Sequence, residues 1–227
     1  METFEKQYAD AIPLAHNHRV SLPCMANQTW LEDPKRLIFM LARYKHAGSL
    51  LRGCQRVLEL GCGDGFGTNI TAQFVAQIDA IDADPLLIEE ANRYSNRNNI
   101  NYFVHEFSNI ARNNPIKKQT YDGIFSLDVF EHLEKKVQMD YVRMIKAHLK
   151  PDGRFMCGIP SIESQEYASP RSKAGHINCM SANNFIEYWN SHFKNVQLFG
   201  MNDEVLHTGF GPMCHYLIVN CTHLKYD

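Results

Sequence analysis

Residues 57–67 read Val57-Leu58-Glu59-Leu60-Gly61-Cys62-Gly63-Asp64-Gly65-Phe66-Gly67, a short apolar run with one acid that passes into glycine at every second position. The apolar run is typical of a buried strand, and the alternating glycines predict a tight turn before a helix. In such a turn no Cβ atom keeps a ligand away, and backbone amides and a helix N-terminus face it. The segment therefore predicts a ligand-binding turn between a strand and a helix.

A second strand with a terminal acid follows about one strand–helix unit later. It reads Gln77-Ile78-Asp79-Ala80-Ile81-Asp82 and so ends in a carboxylate. A carboxylate at this place can accept hydrogen bonds from ribose hydroxyl groups. The turn and the acid together indicate a nucleoside cofactor.

The glycine spacing narrows the choice of nucleoside. A dinucleotide-binding fold normally needs G-x-G-x-x-G, but Phe66 or Thr68 occupies the third glycine position, depending on whether counting starts at Gly61 or Gly63. The chain also contains no G-x-x-x-x-G-K-[ST] sequence. Both observations disfavour a loop that cradles the phosphates of NAD or ATP.

The pattern E-x-G-x-G-x-G, which begins at Glu59, resembles motif I of the class I S-adenosylmethionine (SAM) methyltransferases. The resemblance implies SAM as the cofactor. It implies that Glu59 meets the methionine ammonium group, directly or through water. It also implies that Gly61, Gly63 and Gly65 let the chain pass close to the cofactor.

The same resemblance assigns further cofactor contacts at the next two strands. Asp82, followed by Ala83, corresponds to the acid that holds the ribose. After the third strand, Glu106 corresponds to the acid that accepts the adenine amino group, and Phe107 to the residue whose backbone amide meets the ring. The family usually has Asp and then a small residue here, so Glu-Phe departs from its pattern.

Strands and helices alternate from about residue 56 to the end, which is typical of a parallel sheet wrapped by helices. The final two predicted strands are joined by only about a dozen residues without a helical pattern, which predicts antiparallel neighbours. We therefore expect an α/β, Rossmann-like fold with a seven-stranded, mostly parallel sheet, a terminal antiparallel strand, and helices on both faces. The predicted strands are 56–60, 77–81, 101–105, 123–127, 154–159, 196–201 and 215–221.

The domain organisation is expected to be simple, because 227 residues suffice for one sizeable core. Residues 34–227 are predicted to form the methyltransferase domain. Residues 1–33 lack a strand–helix rhythm and are predicted to form a lid or cap over it.

The composition indicates a cytoplasmic protein. The net charge of −2 argues against a surface that coats nucleic acid, and no run is apolar enough for membrane insertion or a signal peptide. The seven cysteines stand singly, without a C-x-x-C pair, which favours reduced thiols over disulfides or zinc.

Histidines are the candidate catalytic bases, because methyl transfer to a hydroxyl requires removal of its proton. Loops that leave parallel strands at their C-terminal ends share one face with the cofactor. Three such loops each carry one histidine, namely His132, His176 and His207. His132 and His176 are the leading pair.

The segment Asp128-Val129-Phe130-Glu131-His132-Leu133 resembles the motif IV region of the family. The resemblance places Leu127 and Asp128 against the methionine part of SAM. The spacing D-x-x-E-H also resembles the E-x-x-E-H loop of ubiquinone-pathway and small-RNA 2′-O-methyltransferases, in which acids and histidine hold a divalent ion. We expect no metal, but if one is bound, the ligands would be Asp128, Glu131 and His132, and Mg²⁺ or Mn²⁺ would suit them.

Residues 199–216 resemble bacterial class I methyltransferases associated with surface-polysaccharide biosynthesis. This implies a small hydroxylated acceptor, such as a sugar, a nucleotide-sugar or a phosphoryl-linked group, and no nucleic-acid partner. Two alternatives stay open. One is a metal-assisted O-methyltransferase of the ubiquinone-pathway or RNA 2′-O type, and the other is a non-catalytic SAM-binding subunit.

Overall fold

A computed structural model describes residues 6–9, 11–17, 19–109, 115–116 and 119–225. Its largest feature is an eight-stranded sheet. The strands are β1 (Arg56–Leu60), β2 (Gln77–Asp82), β3 (Ile100–Val104), β4 (Tyr121–Leu127), β5 (Leu149–Pro160), β6 (Phe193–Asn202), β7 (Val205–His207) and β8 (Tyr216–Leu224).

The strand order is β3-β2-β1-β4-β5-β8-β6-β7. Strands β1 to β5 pair in parallel, and β8 lies antiparallel between β5 and β6. The predicted fold class and the terminal antiparallel strand are thus confirmed. The number of strands was wrong, because three residues after β6 fold back as β7 and add an edge strand where a loop was expected.

Eight α-helices surround the sheet in the described part of the chain. They are α1 (Ala11–Asn17), α2 (Cys24–Glu32), α3 (Lys35–Leu50), α4 (Thr68–Thr71), α5 (Pro85–Tyr94), α6 (Lys135–His148), α7 (Pro170–Gly175) and α8 (Ala182–Asn190). None of the described helices is both long enough and apolar enough to cross a membrane.

The strand period of two divides the core into two layers. On β1, Leu58 and Leu60 pack into one cluster with residues of α6 and α8. Val57 packs on the other face with residues of α3 and α5. Strand β1 therefore lies inside the sheet with both faces covered, and its C-terminal end brings the glycine turn to the middle of the sheet.

The helix after β2 begins as its sequence predicts. Asp84 accepts a hydrogen bond from the Leu86 amide at 2.8 Å, and Pro85 occupies the first helical position. This cap fixes the direction in which the chain leaves β2. The strand's terminal acid, Asp82, lies beside the glycine turn, where it accepts a hydrogen bond from the Gly63 amide.

Candidate active site

The glycine turn has the backbone conformation that its composition predicts. Gly61, Gly63 and Gly65 have φ angles of 78°, 55° and 72°, in the left-handed region that glycine tolerates best. A Cβ atom at Gly61 would collide with the Val129 side chain, whereas one at Gly63 would meet nothing within 4 Å. The turn therefore opens to free space at Gly63.

Asp82 closes the turn from the end of β2. Its Oδ2 accepts a hydrogen bond from the Gly63 amide at 2.9 Å, and its Oδ1 accepts one from the Asp84 amide at 3.0 Å. Ala83, the next residue, is exposed. Asp82 thus anchors the turn, and its partly exposed carboxylate lies at the same opening.

Glu59 is the buried acid at the end of β1. Neither of its carboxylate oxygens has a partner at hydrogen-bonding geometry among the described residues. Burial raises the pKa of Glu59 to about 8, although the nearby hydroxyls of Thr68 and Tyr44 act in the opposite direction. An unpaired buried carboxylate is costly, and a cationic group of a ligand would satisfy it.

Glu106 and Phe107 follow β3, beside the turn but nearer the edge of the sheet. Glu106 is exposed, and its Oε2 accepts a hydrogen bond from the Ser108 hydroxyl at 3.2 Å. Phe107 packs its ring edge-on against Tyr141, with ring centroids 5.2 Å apart. The Phe107 side chain thus belongs to the core, so only its backbone would face a ligand.

Asp128 and its partners form the far wall of the site. Asp128 follows the buried Leu127 at the end of β4 and has φ 57°, which Asp tolerates better than most residues. Its amide donates to the Gly158 carbonyl at 3.1 Å and lies 3.2 Å from the Tyr216 hydroxyl. Its carboxylate is bound by Arg43 of α3, whose guanidinium also stacks on the Tyr216 ring at 3.7 Å.

One cluster brings together three titratable side chains from two distant segments. Ligating atoms of Glu131, His132 and His176 all lie within 4.8 Å of one another. Glu131 is fully buried, and no described residue hydrogen-bonds either of its oxygens. Burial, and then the charge of Asp128, raise the Glu131 pKa well above its usual range.

Both histidines of this cluster are oriented through Nδ1. The Nδ1 atom of His132 lies 2.8 Å from the Gly175 carbonyl, and that of His176 lies 2.7 Å from Gln165 Oε1. Because both partners are acceptors, each Nδ1 carries a proton, and in the neutral form of each ring the lone pair is then on Nε2. Burial, and then the neighbouring His132, lower the His176 pKa, which favours its neutral form.

The structure does not bring His207 to this cluster. His207 lies on β7, which is four strand positions away from β4 in the sheet, a separation of about 19 Å at ordinary strand spacing. Its Nδ1 accepts a hydrogen bond from the Gly209 amide at 3.0 Å.

Two residues of the site's wall, Arg43 and Tyr216, were not expected from the sequence. Each stands in an element that the sequence describes only as a helix or a strand. No local motif marks Arg43, and the resemblance of residues 199–216 gave Tyr216 no role, because both residues face the site only after α3 and β8 have packed.

The comparisons with known proteins agree with this geometry. A family model described as a methyltransferase domain matches residues 26–198, more than half of the chain. The chain therefore belongs to this methyltransferase-domain family.

Curated relatives include the ubiquinone biosynthesis O-methyltransferase of Xanthomonas axonopodis pv. citri, 28% identical over 143 residues, which are 58% of this chain and 55% of the relative. The mitochondrial enzyme of the same name from Schizosaccharomyces pombe is 26% identical over 129 residues, which are 56% of this chain and 44% of the relative. The chain thus spans about half the length of these relatives.

Solved structures share the fold. The N-methyltransferase NodS from Bradyrhizobium japonicum WM9 has a TM-score of 0.61 and 18% identity, over 86% of this chain and 99% of that one. A putative methyltransferase from Haloferax volcanii, solved with the Trm112 activator, has a TM-score of 0.66 and 14% identity, over 89% of this chain. At these identities the likeness shows the fold alone.

Proposed function

We propose that this protein transfers the methyl group of SAM to a hydroxyl oxygen of a small acceptor. The observation that carries the proposal is the cluster of Glu131, His132 and His176 beside the end of β4. Two lone-pair nitrogens and a buried carboxylate are suited to receiving a hydroxyl group and its proton. The curated relatives are named O-methyltransferases, which also favours oxygen as the accepting atom.

The residues present fit SAM at the glycine turn. The open space at Gly63 leaves room for the close passage of a ligand. The unpaired carboxylate of Glu59 would pair with the methionine ammonium, and Asp82 would hold the ribose hydroxyls beside Ala83. The adenine end of SAM would contact Glu106 and the Phe107 amide. The methionine end would lie against Leu127 and Asp128.

Methyl transfer from SAM is an in-line displacement at carbon, so the chain must align the acceptor oxygen and remove its proton. The Nε2 atom of His132 or His176 would accept that proton, because in the neutral rings the hydrogen bonds at Nδ1 place the lone pair on Nε2. A positioned base of this kind typically contributes about 10²- to 10⁴-fold to the rate. His207 is not proposed to share this role, since it lies at the sheet edge.

A second candidate, the metal-assisted form of the same reaction, is favoured by the donor set. Glu131, His132 and His176 would hold a divalent ion, and their two imidazoles suit Mn²⁺, Co²⁺ or Zn²⁺ better than Mg²⁺. Asp128 is a weaker ligand than the spacing suggested, because Arg43 binds both of its oxygens. When bound, such an ion acts as a Lewis acid and lowers the pKa of a neighbouring hydroxyl group.

The acceptor is proposed to be a sugar or nucleotide-sugar of surface-polysaccharide biosynthesis, on the resemblance of residues 199–216. The names of the curated relatives make a phenolic acceptor the second possibility. No nucleic-acid partner and a cytoplasmic location also stay predictions.

The segment before residue 34 is proposed to close over the cofactor turn. Of residues 1–33, positions 1–5, 10 and 18 lie outside the described residues. The α2 amides of Met25 and Ala26 donate to Asp64 Oδ2 at 2.9 and 3.0 Å, and the Cys24 amide donates to Glu90 at 3.0 Å. Because Asp64 belongs to the glycine turn itself, docking of α2 and the shape of the turn are linked.

Methyl uptake from radiolabelled SAM tests the proposal directly. Three reactions are compared, each with and without MnCl₂. The first contains sugars and nucleotide-sugars, the second contains a dihydroxybenzoate, and the third contains no acceptor. Labelled product in the sugar or phenol arm, found on oxygen by mass spectrometry, would support it. His132→Ala and His176→Ala should then lower turnover far more than they weaken SAM binding, whereas unchanged turnover in both variants would exclude the histidines from catalysis.

A further inference from the structure

The loop between β5 and α8 holds His176 through a compact hydrogen-bond network that starts at Ser161. Ser161 is fully buried. Its hydroxyl donates to the Cys214 carbonyl at 2.6 Å, and its amide donates to the His215 carbonyl at 3.0 Å. The beginning of the loop is thus fixed to the segment that leads into β8.

Gln165 joins this anchor to the histidine. Its Nε2 donates to the Ser161 carbonyl and to the Ser164 hydroxyl, both at 3.2 Å. Its Oε1 lies 2.7 Å from Nδ1 of His176. A side-chain amide donates only through nitrogen and accepts only through oxygen, so the bond to the Ser161 carbonyl determines which end faces His176.

The geometry points to Gln165 as the positioning residue of His176. By accepting a hydrogen bond from Nδ1–H, Gln165 selects the neutral tautomer of His176 whose lone pair is on Nε2, in a ring that belongs to the cluster with Glu131 and His132. The partner histidine, His132, is held in the same way by a backbone carbonyl, that of Gly175. Substitution of Gln165 should therefore remove the hydrogen bond that orients His176 and leave the one that orients His132 in place.

This inference rests on the proposed function, because a lone pair aimed at the cluster matters only if the cluster receives a cation or an acceptor proton. Outer hydrogen bonds of this kind typically contribute about 10- to 100-fold to metal affinity. Gln165 itself is not placed in contact with the acceptor. It acts by setting the orientation and protonation site of the ring that makes the contact.

The test compares Gln165→Leu and Gln165→Glu with the wild-type protein, using the full chain. Two-bond ¹H–¹⁵N correlation spectra report which ring nitrogen of His176 carries the proton, and calorimetric titration with CoCl₂ reports cation affinity. Glu166→Leu is the matched control, because it changes the next residue of the same turn, whose side chain is exposed.

Wild-type protein and Glu166→Leu should show the Nδ1–H tautomer and equal Co²⁺ affinity. Gln165→Leu should lose the preference for that tautomer and bind Co²⁺ about tenfold more weakly or worse. Gln165→Glu loses the bonds to Ser161 and Ser164 but keeps an acceptor for Nδ1–H. It should therefore retain the tautomer and recover most of the affinity, which a merely structural role of Gln165 would not produce.

An unchanged tautomer and unchanged Co²⁺ affinity in Gln165→Leu would overturn the inference and leave the proposed function standing. Failure of the wild-type protein to bind Co²⁺ would instead overturn the proposed cation site. The tautomer spectra would still decide the role of Gln165 in that case, because they require no metal.

Discussion

Nη1 of Arg43 lies 3.0 Å from both Oδ1 and Oδ2 of Asp128, although 85 positions separate the two residues in the chain. The ion pair is partly buried and is covered by the ring of Tyr216. Three segments, α3, the end of β4 and the start of β8, therefore meet beside the glycine turn. The contact also neutralises the acid that motif spacing alone would make a metal ligand.

Because Arg43 pairs with Asp128, we expect Asp128 and Glu131 to contribute unequally to cation binding. Glu131→Gln should weaken Mn²⁺ binding by more than about tenfold, because it removes a buried carboxylate to which no described residue donates a hydrogen bond. Asp128→Asn should change the affinity by less than about threefold. Electron paramagnetic resonance titration with MnCl₂ measures both, and an equal loss in the two variants would restore Asp128 as a ligand.

Proton release on cofactor binding is expected from the Glu59 pKa of about 8. Glu59 is mostly protonated at pH 7 in the free protein, and it must ionise to pair with the methionine ammonium. Binding of S-adenosylhomocysteine (SAH) should therefore release about 0.9 proton per site at pH 7. Calorimetry in phosphate and in Tris, whose ionisation enthalpies differ, measures the number, and Glu59→Gln should abolish the release.

The raised pKa of Glu59 also predicts how the free energy of unfolding depends on pH. The folded protein holds a proton on Glu59 that the unfolded chain gives up near pH 4.5. The contribution of this group is therefore most favourable below pH 4.5, and it is lost as the pH rises toward 8 and above. Glu59→Gln should flatten this part of the curve of unfolding free energy against pH, and an unchanged slope would contradict the assignment.

Asp64 should control the docking of α2. Asp64→Ala removes the acceptor of two amides in the first turn of α2, a cap worth about 0.5 to 2 kcal/mol. Hydrogen exchange in residues 24–32 should become faster, and SAH affinity should fall with it if docking and cofactor binding are linked. Glu90→Gln is the control, because it alters the acceptor of only the Cys24 amide; faster exchange without loss of affinity would separate the lid from the cofactor.

A buried polar network at the N-terminal ends of the strands should matter for stability but not for the cofactor. Asp79 accepts hydrogen bonds from Arg56 at 2.7 Å, Tyr121 at 2.9 Å and Asn101 at 2.8 Å. Asp79→Ala leaves these donors unpaired and should cost about 3 to 5 kcal/mol, which lowers the melting temperature by roughly 10 °C.

Thermal denaturation measures the loss caused by Asp79→Ala. The exposed Asp152 provides the control, since Asp152→Ala should change stability by less than about 0.5 kcal/mol. SAH affinity of folded Asp79→Ala should match that of the wild-type protein. A large loss of affinity would show that the network also supports the glycine turn.

The features that the sequence predicted well are local ones. Glycine at Gly61, Gly63 and Gly65, and the cap at Asp84, follow from backbone rules that act within a few residues. The acid Asp82 was expected at the end of the second strand, because that strand follows the glycine turn by one strand–helix unit. The glycines and Asp82 sufficed to predict the cofactor, and the alternation of strands and helices sufficed to predict the fold class.

The features that were missed depend on contacts between distant segments. Strand β7 has only three residues and too little pattern to distinguish it from a loop. His132 and His176 were each chosen separately, but their ring contact, with centroids 5.0 Å apart, depends on how the loop before α8 packs. Arg43 is one polar residue on a long helix, and only the position of β4 and β8 shows what it binds.

Diffraction from crystals grown with SAH and MnCl₂, recorded at the manganese absorption edge, tests the proposed cofactor and cation sites together. SAH should lie along the glycine turn, with its amino group at Glu59 and its sulfur facing the end of β4. One anomalous peak should lie at bonding distance from Glu131 and from Nε2 of His132 and His176, which is the arrangement that the metal-assisted form of the proposed function requires. SAH bound elsewhere, or a fully loaded crystal with no peak at these three residues, would contradict it.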